Sequence, residues 1–377
     1  MKKKLPLSGI KVLELARVLA GPWAGQLLAD LGADVIKIES PIGDETRTWG
    51  PPFHDDDSSA YFQSTNRGKR SVVANFKNKD DCQMVRQLAK RADIIIENFK
   101  VGGLTKYGLD YTNIKKESPS IIYCSVTCFG QNGPYASRPG YDFIIQAMGG
   151  IMDLTGEAQG EPQKSGVAYA DIFTGLYSVI AIQSALLARQ TIGQGTHIDM
   201  SLFDTQLGVL ANQGASYLKT RVSPKRMGNT HPVIVPYQKF DTHDGSIIIA
   251  CGNDNQFEKL CIALGWELHS QRKYRTNKNR VLNRHTLINL MQKRILLFSK
   301  TEILSKLHAA SVPSGSINSV EEALNDEQAI HRQIVYEIDG ISAIRSPILF
   351  DTFSLNYNYL SPKLGQHTAE IKEKLNN

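Results

Sequence analysis

Short apolar runs rich in β-branched residues recur through the first third of the chain, and amphipathic stretches separate several of them. The runs read IKVLEL, DVIKIE, SVVANF, DIIIENF and IIYCSVT, beginning at residues 10, 34, 71, 93 and 121. The segment KNKDDCQMVRQLAKRA, ahead of the fourth run, carries Met84, Leu88 and Ala92 at helical spacing. Alternating strands and helices indicate right-handed crossovers and a parallel sheet covered on both faces. The pattern therefore predicts an α/β fold.

The pattern changes twice further along the chain. Residues 171–220 are mostly helical in pattern, whereas QKFDTHDGSIIIACGND indicates a hairpin around Asp244 and Gly245. Basic amphipathic helices follow, and strand character returns in GISAIRSPILFDTFSLNY. We therefore predict a large domain that begins the chain, a smaller α+β domain with linkers, and a C-terminal part that returns to the large domain, over residues 1–220, 221–325 and 326–377.

Composition and charge argue against several classes of protein. Hydrophobic residues make up 41% and charged residues 21% of the 377 residues, which is typical of a globular protein. The net charge of +6 is diffuse, whereas nucleic-acid-binding proteins concentrate basic residues in one patch. No apolar run approaches the roughly 20 residues of a membrane span, and Lys11, Glu14 and Arg17 interrupt the N-terminal stretch that resembles a signal peptide. We therefore expect a soluble protein that binds neither nucleic acid nor membrane.

The cysteines and the glycine-rich turns do not match the common cofactor sites. Five cysteines, with no CxxC pair and no histidine at metal-ligand spacing, favour reduced thiols in the cytoplasm over disulfides or zinc. The first strand-to-helix turn, ARVLAGPWAGQLLADLG, lacks the GxGxxG fingerprint of dinucleotide-binding proteins. Walker, GxSxG and HExxH motifs are also missing from the sequence. We therefore expect neither a metal nor a redox cofactor.

One acidic residue stands out in the apolar segment GVAYADIFTGLYSVIAIQSALLARQ. Asp171 is its only charged residue before Arg189. An Asp just ahead of an apolar helical run is most often an N-cap that accepts a backbone N–H. A helix N-terminus also favours an ionised carboxylate, and an accessible carboxylate is an available nucleophile. Both interpretations stay open, and the second needs room for a substrate, which small neighbours supply at Gly166, Ala168, Ala170 and Gly175.

Several motifs together resemble the family III CoA-transferases of the formyl-CoA transferase and carnitine CoA-transferase type. They are VLELARVLAGPWAGQLLADLGADVIKIESPIGDETRTWGPPF, NRGKRSVV, ADIIIENF, YCSVTCFGQNGPYASRPGYD, SGVAYADIFTGLYS and LGQHT, and the likeness runs from about residue 6 to 370. GDETRTWGPPF, IVPYQKF, KYRTNKNRVLNR and KLGQHT are most similar to the succinate/hydroxymethylglutarate (glutarate) CoA-transferases. The resemblance implies a Rossmann-like large domain, a smaller domain inserted late, and a homodimer of two interlocked chains.

The resemblance also implies a reaction and its nucleophile. Asp171 matches the aspartate that attacks the thioester of an acyl-CoA, such as succinyl-CoA, and forms a mixed anhydride. The CoA thiolate then attacks the aspartyl carbonyl, the first acid leaves, and a small carboxylic acid, expected to be a dicarboxylic one, reverses these steps. Each intermediate is already activated, so the mechanism uses no metal or redox cofactor.

The family's CoA contacts carry over to positions whose motifs match. Lys106 stands where the family usually has a phosphate-binding Arg, so the charge stays and the bidentate fork is lost. Ser40 stands where some members have an Arg against the adenosine phosphate. The matching positions are Val18, Leu19, Ala20, Ala74, Asn75, Phe76, Lys77, Asn98, Phe99, Lys100, Lys106, Arg138, Tyr141 and Asp142.

Two alternatives remain beside the transferase. An acyl-CoA racemase of the same superfamily would use a His at the position of Tyr141, and a phenol with a pKa of about 10 is a poor general base at neutral pH. A non-catalytic CoA-binding protein would have no need of an accessible Asp171. The acceptor's distal carboxylate has three candidate partners, Arg17, Arg47 and His231.

Overall fold

The chain divides into two compact units in the computed structural model, which describes residues 5–55, 57–355, 357 and 359–376. The predicted segment boundaries at 220 and 325 lie a few residues from those of the structure. Residues 153–163, which the sequence pattern assigns to the large domain, belong instead to the second unit. The first unit comprises Met1–Met152, Lys164–Val222 and Ala329–Asn377, and the second comprises Asp153–Gln163 and Ser223–Gln328.

A six-stranded parallel sheet forms the centre of the first unit, as the pattern predicts. Its strand order is β3-β2-β1-β4-β5-β6, which is the Rossmann order, and the order reverses between β1 and β4. Each of the five predicted apolar runs overlaps one strand, and only β3 extends beyond its run, by one residue at Arg70. The strands are β1 (Lys11–Glu14), β2 (Asp34–Glu39), β3 (Arg70–Val73), β4 (Ile94–Glu97), β5 (Ile122–Thr127) and β6 (Thr196–Ser201).

The sequence pattern does not predict β6, which lies in a region that it assigns to helices. The strand's sequence, THIDMS, contains no run of apolar residues. It is a strand because every residue from Thr196 to Ser201 pairs with β5 at the edge of the sheet. Tertiary pairing of this kind overrides local propensity.

Helices cover both faces of the sheet and make up much of the second unit. In chain order the α-helices are α1 (Ala20–Asp30), α2 (Ala60–Asn66), α3 (Lys79–Arg91), α4 (Tyr111–Glu117), α5 (Asp142–Met148), α6 (Ile151–Leu154), α7 (Tyr169–Ile192), α8 (Leu202–Gly208), α9 (Ala211–Thr220), α10 (Asp254–Ala263), α11 (Asn277–Leu282), α12 (Arg284–Ile295), α13 (Lys300–Ala309), α14 (Val320–Leu324), α15 (Glu327–His331) and α16 (Thr368–Asn376). Short 3₁₀ turns lie at Glu45–Thr48, Thr105–Tyr107 and Leu268–Ser270.

Alternate side chains of the strands enter two separate cores. Val12 of β1 belongs to the core beneath α1 and α7, whereas its neighbour Leu13 belongs to the core beneath α3. Ile94 and Ile95 of β4 divide in the same way. The period of two along each strand therefore places one helical layer on each face.

Helix α7 is long and apolar enough to cross a membrane by length and composition. The sequence analysis did not identify this segment as long enough for a membrane span, because Asp171 and Arg189 interrupt the apolar run. In the first unit α7 packs against α1, β5 and β6, which also makes it a core helix of the sheet.

Antiparallel strands organise the second unit. Strands β7 (Tyr237–Thr242), β8 (Gly245–Ala250) and β9 (Ser314–Ser316) form a sheet in that order. The predicted hairpin is present, with His243 and Asp244 as its two-residue loop. Apolar residues of α10, α12 and α13 pack against this sheet in a core of their own. A further hairpin, β10 (Val335–Ile338) with β11 (Ile341–Ile344), lies in the first unit.

Candidate active site

A cavity of about 190 Å³ lies where the strand order of the first unit reverses. Ligands of open α/β sheets bind at such a switch point, beyond the carboxyl ends of the strands. Asp171 lines the cavity together with the turns that follow β1 and β4. The cavity brings together nine of the predicted site residues: Asp171, Val18, Leu19, Ala20, Asn98, Phe99, Lys100, Arg138 and Tyr141.

Asp171 is not the cap of its helix. Helix α7 begins at Tyr169, so Asp171 lies in the first turn with a half-buried side chain. The N–H of Ala170 donates instead to Asp142 Oδ1 at 2.8 Å. The N-cap interpretation of Asp171 is therefore wrong, and Asp171 instead lines the cavity.

Asp142 lies behind the cavity and not among its lining residues. Its Oδ2 accepts a hydrogen bond of 2.7 Å from Gln146 Nε2, and Gln146 Oε1 accepts the N–H of Ser165 at 3.0 Å. With Oδ1 occupied by Ala170, both oxygens of Asp142 have protein donors. Asp142, which the resemblance places against CoA, therefore holds the start of α7.

Burial, and to a lesser extent the carboxylate of Asp142, raises the pKa of Asp171 to about 7. These two causes outweigh the helix N-terminus, which favours ionisation by about 0.3 to 1 kcal/mol. Burial, and to a lesser extent the charge of Asp171, also raises the pKa of Tyr61 to about 12 and that of Cys128 to about 11. Both neighbours are therefore neutral at pH 7.

The small residues around Asp171 do not all leave room for a substrate. A Cβ on Gly175 would lie 2.8 Å from the carbonyl oxygen of Ala20, and Ala170 is fully buried in the core. Gly175 therefore allows α7 to approach α1 closely, which places Asp171 beside the turn after β1. Gly166 has open space around its Cβ position, as the nucleophile interpretation expects.

Asn98 holds the turn after β1 through its side-chain amide. Its Oδ1 accepts the N–H of Arg17 at 2.9 Å, and its Nδ2 donates to the carbonyl of Arg17 at 2.7 Å. The sequence predicted Asn98 as a CoA contact, and the structure adds that the amide joins the turns after β1 and β4.

A second, basic cavity of about 710 Å³ contains three more of the predicted residues, Phe76, Lys77 and Lys106. Lys79 and Arg86 add two further cations, which the sequence analysis missed. The helical spacing of Lys79, Gln83 and Arg86 on α3 was the available signal. Four cationic side chains around one opening suit phosphate groups.

Besides Asp142, two further predicted CoA contacts lie outside both cavities. Ala74 is buried in the core beneath α3. The N–H of Asn75 donates to Asp81 Oδ2, and its Oδ1 accepts the N–H of Lys77, so its groups fix the local turn. Ser40 donates to the carbonyl of Gly43 and is likewise engaged in its own loop.

The three candidates for the acceptor carboxylate differ in their surroundings. Arg17 lines the first cavity, with its nearest anion, Glu45, at 3.8 Å. Arg47 is already paired with Glu39 at 2.8 Å and stacks on Phe62. His231 lies in the second unit, where its Nδ1 accepts the N–H of Val233.

The sequence model of a protein family described as CoA-transferase family III matches residues 7–368. The chain belongs to CoA-transferase family III. It is 49% identical to the succinate–glutarate CoA-transferase of Agrobacterium fabrum over 99% of this chain and 96% of that protein. It is 40% identical to the succinyl-CoA:glutarate CoA-transferase of Homo sapiens over 98% of this chain and 86% of that one. The family expectation is therefore confirmed, and the chain is a CoA-transferase.

The fold has solved counterparts as well. A CAIB/BAIF family protein from Brucella suis superimposes with a TM-score of 0.91 at 55% identity, covering 99% of this chain and 100% of that one. The protein Rv3272 from Mycobacterium tuberculosis gives a TM-score of 0.88 at 29% identity, covering 97% and 98%. These likenesses agree with the α/β expectation.

Proposed function

We propose that this CoA-transferase moves CoA from succinyl-CoA to glutarate or a similar small dicarboxylic acid, with Asp171 as the nucleophile. The observation that carries the proposal is the half-buried carboxylate of Asp171 in the cavity at the switch point of the sheet. The relatives named for succinate and glutarate support the choice of substrates.

The reaction follows from the chemistry of a carboxylate beside a thioester. One oxygen of Asp171 attacks the acyl carbon, the C–S bond breaks, and the products are an acyl-aspartyl anhydride and CoA thiolate. The thiolate attacks the aspartyl carbonyl and expels succinate, which leaves an aspartyl-CoA thioester. The acceptor carboxylate then repeats both steps in reverse and regenerates the free Asp171.

Charged side chains in the first unit fit both ends of the donor. Arg17 and Arg138 line the cavity with Asp171, and we assign to them the distal carboxylate of the acyl group and of the acceptor. Lys77, Lys79, Arg86 and Lys106 would meet the phosphates of CoA in the basic cavity. Arg47 is excluded as a partner of the distal carboxylate because Glu39 already neutralises it.

The proposal needs no metal and no redox cofactor, because anhydride and thioester intermediates are themselves activated.

A cytoplasmic homodimer is part of the proposal too. Apolar side chains exposed on α7 support the dimer, with Ile180 57%, Leu187 68% and Ile192 62% exposed. Exposed apolar side chains on a helix of the first unit favour association with a partner surface.

A thioester-exchange assay tests the proposal. The enzyme is incubated with succinyl-CoA, a panel of mono- and dicarboxylic acids and a chelator, and each new acyl-CoA is quantified by chromatography. We expect glutaryl-CoA among the main products. Transfer only to monocarboxylic acids, or activity that depends on a restored metal, would contradict it.

The variant Asp171→Asn isolates the nucleophile. Because a neutral amide cannot form the anhydride, we expect the variant to fold normally and to lose turnover by a factor on the order of 10³ or more. Hydroxylamine added with succinyl-CoA should convert Asp171 of the wild-type enzyme to a hydroxamate, detected by peptide mass spectrometry. Labelling of another carboxylate would refute the assignment.

A further inference from the structure

The turn after β1 contains a valine in an unfavourable backbone conformation. Val18 has a φ of 68°, in the left-handed region that L-residues rarely adopt. Among the non-glycine residues with positive φ in the described part of the chain, Val18 is the only β-branched one. Because Val18 lines the cavity that contains Asp171, this conformation shapes the site itself.

A buried carboxylate accepts the N–H that this conformation exposes. The N–H of Val18 points between the two oxygens of Asp44, at 3.4 Å from Oδ1 and 3.3 Å from Oδ2. Asp44 has 1% of its surface exposed and does not line the cavity. Its side chain therefore contacts the cavity wall through the backbone N–H of Val18, and its chain neighbour Glu45 also lines the cavity.

The carboxylate of Asp44 is itself held in place. The N–H and hydroxyl of Thr46 donate to Oδ1 at 3.0 and 2.8 Å, and Lys37 Nζ lies 3.0 Å from Oδ2. Lys37 also donates to the carbonyl of Ala16 at 2.8 Å. One ammonium thus joins Asp44 to the start of the same turn.

Stability alone does not account for this cluster. Lys37 also pairs with Glu14 at 3.0 Å, and Lys69 pairs with Glu14 at 2.8 Å, all with fully buried side chains. Buried ion pairs cost desolvation, and apolar residues of similar size often stabilise a fold as well or better. A cluster of ion pairs fixes the direction of each charged group. Here Asp44 and Lys37 are directed at the backbone of the turn after β1.

We propose that Asp44 is a positioning residue that keeps Val18 in the left-handed conformation, and so keeps the turn of residues 18–20 in the shape that receives the acyl-CoA beside Asp171. The inference builds on the transferase activity, and its assay uses the substrates of the proposed function. Wild-type transfer to glutarate is measured first. Its absence would refute the substrates and not the role of Asp44.

The variant Asp44→Asn tests the role directly. Asparagine keeps the size of the side chain and an oxygen for Thr46, and Lys37 keeps its pairing with Glu14. The charged acceptor for the Val18 N–H is lost, so we expect kcat/KM for the acyl-CoA to fall about tenfold or more. An unchanged kcat/KM would overturn the proposal.

A suppressor separates positioning from a general loss of stability. Glycine adopts the left-handed conformation without strain, so Val18→Gly in the Asp44→Asn background should bring kcat/KM back to the value of Val18→Gly alone. Val18→Ala is the matched control, since it also removes the valine branches but keeps the steric penalty, and it should not rescue. Equal rescue by both, or by neither, would overturn the proposal.

Thr46→Val serves if Asp44→Asn does not fold. It removes only the hydroxyl that orients Asp44 Oδ1 and leaves the carboxylate and its ion pair intact. We expect a smaller fall in kcat/KM, again suppressed by Val18→Gly and not by Val18→Ala. Retention of full wild-type kcat/KM by Thr46→Val would then refute the proposal.

Discussion

Two acidic residues, Asp171 in the first turn of α7 and Asp142 at the start of α5, have different roles. Asp142 accepts the N–H of Ala170 and both of its oxygens have donors, whereas Asp171 lines the cavity. The two carboxylates also interact electrostatically, and together with burial this raises the pKa of Asp171 to about 7. A nucleophile of this kind is mostly ionised above that pH and mostly protonated below it.

The first residue-scale prediction concerns pH. We expect kcat/KM to rise with pH through about 7 and to be lost below it, because only the ionised Asp171 attacks the thioester. Asp142→Asn keeps an oxygen for Ala170 but removes the like charge, which lowers the pKa of Asp171. The acid limb of the pH profile should therefore move to lower pH.

Asp204→Asn is the control for this shift. Asp204 also lies in the first turn of a helix, α8, but outside both cavities. Its profile should match that of the wild-type enzyme. An acid limb that stays in place in Asp142→Asn, or that moves to higher pH, would show that Asp142 does not raise the pKa of Asp171.

The second residue-scale prediction concerns the basic cavity. Lys106→Ala and Arg86→Ala should each raise KM for succinyl-CoA about tenfold with little change in kcat, since phosphate contacts are shared by ground and transition states. Steady-state kinetics at fixed glutarate measures this. Lys219→Ala, an exposed lysine in the last turn of α9, should leave KM unchanged. A loss of kcat without a rise in KM would remove the pair from the CoA site.

At the scale of elements, close helix packing brings the nucleophile to the cavity. α7 approaches α1 where Gly175 meets the carbonyl of Ala20, and a Cβ there would be only 2.8 Å from that oxygen. A Cβ on Gly21 of α1 would likewise lie only 2.4 Å from the Cβ of Ala16. Two glycines thus allow the turn after β1, α1 and α7 to pack closely together.

We predict that Gly175→Ala destabilises the protein by about 1 to 3 kcal/mol, the usual cost of overpacking. The neighbouring atom is backbone, which cannot rotate away. Gly208→Ala is the matched control, because Gly208 ends α8 and has nothing within 4 Å of its Cβ position. It should be neutral or slightly stabilising. Chemical denaturation of both variants decides, and equal stabilities would refute the packing argument.

At the scale of the whole molecule, the proposed homodimer predicts a mass. Light scattering coupled to gel filtration should give about twice the 41.8 kDa of one chain. Ile180→Lys together with Leu187→Lys places charges on the exposed face of α7 and should lower the measured mass if that face is covered in the dimer. A wild-type monomer at micromolar concentration would contradict the proposal.

The amino-acid pattern alone predicts the parallel sheet, five of its strands, the family and the candidate nucleophile. Apolar periodicity and turn chemistry are local properties, and the family motifs are contiguous segments, so both can be recognised without coordinates. The edge strand β6 was missed because its polar sequence becomes a strand only by pairing with β5.

The folded chain was needed to show which acidic residue accepts a hydrogen bond from the start of α7 and what holds the cavity wall. Asp142 and Ala170 are 28 residues apart, and Val18 and Asp44 are 26 apart, so no local pattern connects either pair. The same holds for Asp171, whose raised pKa depends on burial and on a carboxylate from another helix. Contacts between residues distant in sequence depend on how the helices pack against the sheet, and that packing is fixed only when the whole chain folds.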